Sequence, residues 1–166
     1  MKYYFFIAAL IFLFSSCGTY RINKTSDFGK ISNLGELDGT YLNEESKEQG
    51  IRMMQFFGSR ENIDSVTIRF PDDNTLLVSC LIDNALVTKE FKGEKKKKYF
   101  EIYFEKKQLI VPLIYSKIAV SRLRIGRYKN TKDLLIRNLD ERNGNILIIA
   151  GGYGGEKPYV YKNVEE

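Results

Sequence analysis

The chain of 166 residues carries 26 basic and 21 acidic side chains, a formal net charge of +5, and 43% hydrophobic residues, enough for one ordinary domain with its own core. It contains no histidine and no tryptophan, which excludes a Ser-His-Asp or Cys-His relay and any His-ligated zinc or iron site within the chain. Eleven Tyr, eleven Phe and short clusters of Val, Ile and Thr suit pleated, half-buried surfaces, and the mixed-sign charge supports only a weak attraction to anionic surfaces.

At the amino end, Lys2 precedes an uninterrupted apolar run from Tyr3 to Phe14, followed by Ser15, Ser16 and Cys17. That is the layout of an export signal over residues 1–16, and the run is too short for a membrane span of ~20 residues. Phe14-Ser15-Ser16-Cys17 resembles the lipobox of bacterial lipoproteins, with Phe14 where Leu is usual and Leu13 one place early. Cleavage nearby by a conventional signal peptidase is the competing reading. The resemblance implies cleavage before Cys17, a diacylglycerol on its sulfur and an acylated new amino terminus. Two or more acyl chains anchor stably. The expected location is the bacterial envelope, lipid-anchored at the outer membrane and facing the periplasm.

Residues 17–36, polar and aperiodic, read as a tether, with packing through Phe28 and Ile31 left open. A domain over 37–166 opens at Leu37-Asp-Gly-Thr-Tyr41. Ile51, Met54 and Phe57 fall at helical spacing, which predicts a short helical segment near residues 47–57 that closes one end of the core or gates a ligand. Val66, Ile68 and Phe70 then alternate with polar neighbours up to a turn at Pro71 to Asn74. Strands follow through TLLVSCLI, ALVTKEFK and KYFEIYFE, where Cys80 reads as a small buried hydrophobe and Phe100, Ile102 and Phe104 share one face. Lys106-Lys107 divides KYFEIYFE from QLIVPLIY, whose Pro112 requires an edge, a bulge or a break. IAVSRLRIG and DLLIRNLD come next, then a hairpin turn at Arg142-Asn143-Gly144-Asn145, the run NILIIAG, a flexible glycine connection over 150–158, and a last strand PYVYK. The expected fold is all-β: an antiparallel up-and-down barrel of about nine strands.

No recognisable catalytic motif or metal site emerges, and no cofactor is expected. The glycine cluster matches neither phosphate-loop nor dinucleotide fingerprints. Glu101 and Glu105 lie ~13 Å apart along a strand, too far for paired-carboxylate glycoside hydrolysis, and read as a solvated pair. Lys95, Lys96, Lys97 and Lys98 form the densest basic patch, either a solubilising sheet end or a contact for anionic headgroups or glycans. Nucleic acid is not expected as a partner of an exported protein. Arg122, Arg124 and Arg137 interrupt apolar strands and either project to solvent or line an interior.

Leu37 to Tyr41 is similar to the Gly-x-Trp signature of lipocalins, with Tyr41 in place of Trp, and the whole architecture resembles lipocalin-like envelope lipoproteins of Bacteroidetes. The resemblance implies a membrane-tethered barrel that binds a small apolar or amphipathic ligand, with Tyr41, Arg122, Arg124 and Arg137 as candidate contacts. The alternative is a solid-core envelope protein that binds a protein or glycan partner through its surface.

Overall fold

A computed structural model of the chain describes residues 26–45, 50–61, 63–111, 114–146 and 149–164; Cys17 and the export signal lie outside the described residues. Nine strands form two antiparallel sheets, each a meander in chain order. The first contains β1 (Gly39–Leu42), β2 (Ser65–Asp72), β3 (Thr75–Ile82) and β4 (Ala85–Lys92). The second contains β5 (Glu94–Lys95), β6 (Phe100–Val111), β7 (Tyr115–Arg127), β8 (Leu134–Ile146) and β9 (Ile149–Tyr161). The single turn of α-helix α1 (Met53–Phe56) falls in the expected window.

The alternation that predicts β2 is what the fold uses, since Val66, Ile68 and Phe70 are buried while Thr67 and Arg69 are exposed. Pro71 sits where the β2–β3 register shifts, so its missing N–H interrupts no regular ladder. Asp83 and Asn84 both take positive φ, 50° and 63°, the geometry of a two-residue turn whose twist matches the strands it joins.

Side chains fill the space between the sheets. Tyr41, Ile68, Leu76 and Val78 on one side meet Phe100, Leu123, Ile125, Ile136 and Tyr159 on the other. Met53, Met54 and Phe57 close one end, held by the buried Asn43, whose Nδ2 donates to the Ile63 carbonyl and whose Oδ1 accepts from the Met54 N–H. Cys80 belongs to this core, and burial, with the Glu61 charge second, pushes its thiol pKa up.

No continuous ladder joins the two sheets among the described residues, but two short links do. The chain passes from β4 to β5 through Gly93 alone, where a Cβ would stand 2.5 Å from the Glu101 carbonyl oxygen. At the other seam, the Leu42 N–H donates to the Lys162 carbonyl and the Val164 N–H to the Thr40 carbonyl, each at 2.9 Å.

The second sheet corrects three expectations. Lys106-Lys107 does not divide strands but lies within β6, Asn143-Gly144 is not a turn but runs within β8, and the glycines expected as a flexible connection run within β9. β7, β8 and β9 pair in one unbroken register, with Lys117 opposite Gly144 and Gly144 opposite Gly151. A local turn preference near Asn143 gives way to a ladder that satisfies every backbone group along thirteen-residue strands. Glycine has a steric role there: a Cβ on Gly152 would lie 2.0 Å from Asn143 Oδ1.

The tether expectation also changes. From Ser26 to Leu37 the chain forms a strap packed on the second sheet, with a 3₁₀ turn at Leu34–Leu37 capped by Asn33 and Glu36. The Gly29 N–H donates to the Arg127 carbonyl and the Lys129 N–H to the Asp27 carbonyl, both at 2.9 Å.

Candidate functional site

On the second sheet, Leu123, Ile125 and Ile136 point to the core, so Arg122, Arg124 and Arg137 stand on the opposite, outer face by alternation. Strap and sheet together bury Arg124 and Arg137, each 3% exposed. Arg124 Nε donates to Glu101 Oε1 at 2.8 Å and its Nη1 to Glu156 Oε1 at 3.2 Å. Arg137 reaches Glu156 Oε2 at 3.4 Å and the Asp27 carboxylate on the strap, while Arg122 lies 3.3 Å from Glu101. Three arginines thus face three carboxylates, and Glu101, expected on a solvated surface, is buried at the centre. The Nε atoms of Arg122 and Arg137 find no acceptor among the described residues.

This arrangement differs from both expectations for the arginines. They neither line the interior nor project to solvent, because the strap covers the face they occupy. Their charges are balanced from within, which removes the reason to assign them an anionic ligand. Burial works to raise the Asp27 carboxyl pKa, but the hydrogen bond and charge of Arg137 outweigh it and hold it below the ordinary value. Phe28, 2% exposed, lies over Gly126, whose missing Cβ would sit 2.7 Å from the ring; its centroid is 5.0 Å from that of Tyr99 and 6.0 Å from the Arg137 guanidinium.

Tyr41 is elsewhere, inside the core, and its hydroxyl donates to the Leu37 carbonyl at 2.8 Å. It is a packing residue. The basic patch lies at the strap end of the sheet, where Lys95 pairs with Asp73 at 3.3 Å and Lys96 with Glu94 at 2.7 Å, while Lys97 is exposed.

A cleft of about 420 Å³ opens beside the strap, within the ~300–1,000 Å³ range of small-molecule sites. Leu42, Leu135, Pro158 and Val160 give it an apolar lining, and Asp27, Glu44, Glu45 and Asp133 outnumber Lys129 and Lys162. Tyr161 closes its inner side; burial, and secondarily Tyr159, push the phenol pKa up, and its hydroxyl donates to the Ile51 carbonyl at 2.9 Å. Sequence reasoning missed this cleft. Its residues come from the strap, the segment after β1, the β7–β8 turn and β9, which only the fold brings together.

Among the described residues no helix is long and apolar enough to cross a membrane. No family model, curated protein or solved structure matches the chain.

Proposed function

We propose that the protein is a lipid-anchored envelope protein, held to the membrane by acyl chains on Cys17, that binds a small amphipathic molecule in the cleft beside the strap. The two sheets are read as the walls of one lipocalin-like up-and-down barrel. The passage of β4 into β5 at Gly93 and the hydrogen bonds from Leu42 and Val164 across the β1–β9 seam support that reading. The core positions of this barrel hold its own Tyr41, Phe100, Met53 and Met54, so the ligand is placed outside them.

One observation carries the ligand class: an apolar lining under a rim of four carboxylates and two lysines. That combination fits an apolar body bearing an amine. The protein's own reacting groups offer no nucleophile-base pair, so the reading is carriage and not catalysis. Native mass spectrometry of the full chain tests it. An adduct with an amine-bearing amphiphile is expected, lost on Val160→Trp, which fills the cleft. An adduct that survives Val160→Trp defeats the placement.

The filled core also favours the second reading, an envelope interaction protein with a solid core. A chain that carries no adduct, and takes up no long-chain alkylamine added to it, supports that reading over carriage.

A further inference from the structure

The far end of the second sheet is unlike the rest of the surface. β6 and β7 end at Val111 and Tyr115, β8 and β9 at Ile146 and Ile149, and the four positions lie in one row. Leu109, Ile110, Ile114 and Ile146 are each more than half exposed there. Single exposed apolar side chains need no explanation, but a contiguous group does. Gly144 and Gly151, paired across β8 and β9, leave a shallow, almost wholly apolar recess of about 370 Å³ beside Tyr115 and Ile146.

The charges around this tip have one sign. Residues 107–119 and 142–153 contain Lys107, Lys117 and Arg142 and no acidic residue; the first acids back from the tip are Glu105 and Glu141. Lys107 and Arg142 lie 3.2 and 3.9 Å from Glu105, which leaves Lys117, the cation nearest the tip, on an exposed position two residues behind Tyr115.

We infer that this tip is a docking surface for a bilayer that contains anionic lipids, independent of the cleft. Its exposed aliphatic side chains enter the acyl boundary, acyl-chain ends occupy the glycine recess, and Lys107, Lys117 and Arg142 meet the headgroups. The depth is limited by the sheet itself. No ladder covers the outer edge of β6 beyond Glu101 or that of β9 along residues 149–160 among the described residues, and an open edge cannot enter hydrocarbon. Only the last three rows go in, roughly 7–10 Å at ~3.3 Å per residue, which is the depth of an interfacial element. A second copy of the chain fits less well, because two such tips would bring like charges together.

The absence of tryptophan makes the test direct, since Ile114→Trp in the full chain introduces a single reporter. Leu86→Trp, at the exposed β3–β4 turn of the other sheet, is the control. Both are bound to vesicles of phosphatidylcholine and phosphatidylglycerol, with brominated or ordinary acyl chains. The expected result is bromolipid quenching and a blue shift at position 114 and not at position 86. Lys107→Gln and Lys117→Gln should each lower the inserted-to-free ratio by about fivefold. A vesicle-bound chain whose position 114 stays open to aqueous iodide overturns the inference, as does equal quenching at both positions. Shielding of position 114 without vesicles that rises with protein concentration overturns it in favour of a second copy.

Discussion

Replacing Phe28 with Ala tests whether the strap belongs to the folded domain. The ring is 2% exposed, rests on Gly126 and is 5.0 Å from Tyr99, so truncation removes a whole aromatic side chain from a closed site. Phe→Ala in a core costs about 3–5 kcal/mol, of which an aromatic pair accounts for roughly 1. The strap lies on the outer face, where water can refill the space, so the lower end applies, about 3 kcal/mol. For a domain of this size that is a fall in Tm of roughly 10 °C. Urea unfolding measures the loss, and exchange of the Gly29 and Lys129 amides, which donate across the strap–sheet seam, locates it. A loss under about 1 kcal/mol, with both amides still protected, would show that the strap is held by its backbone bonds and ion pairs alone and would refute the packing argument.

Two further outcomes follow from the same region. Glu101→Gln leaves Arg124 buried beside too little negative charge and should cost about 3–5 kcal/mol in urea unfolding, whereas Glu101→Leu with Arg124→Leu should recover most of it; a single variant as stable as the parent contradicts the ion-cluster account. In acid the strap should release. Arg137 outweighs burial to hold Asp27 below its ordinary 3.8, and the Ser32 and Asn33 amides lower Glu36, so their stabilisation is present above the ordinary carboxyl pKa values and is lost as pH falls through the lowered ones. The Gly29 amide signal in NMR should therefore titrate with a midpoint below 3.8 while that of Val78 in β3 holds, and a Gly29 midpoint at or above 3.8 would remove Arg137 from the explanation.

Much of the fold was legible because alternation is a local signal. Val66, Ile68 and Phe70 announce β2, Phe100 and Ile102 announce the start of β6, and Asp83-Asn84 marks its own turn. What failed depended on partners distant in sequence. Asn143-Gly144 has strong turn chemistry, yet its position within β8 is set by register with Lys117 and Ile118 on β7. Phe28 and Leu34 are isolated apolar residues in a polar stretch, with no period to show that they are buried. The arginines were seen to share a face, but Glu101, Glu156 and Asp27 could not be matched to them without strand pairing. The cleft left no trace because four separate segments line it.

The unbroken register of β7 has a mechanical consequence. The strap enters the sheet beside Arg127, and the apolar tip lies beside Tyr115, at opposite ends of the same strand. Twelve residue steps at ~3.3 Å set these points about 40 Å apart. A domain held only by a chain rooted at the strap is free to tumble. Gripped at the tip as well, it becomes a beam pinned at both ends, with rotation about its long axis as its remaining freedom. The cleft lies near the strap pin, where that roll moves it least, so ligand exchange there would proceed at a nearly constant height above the membrane.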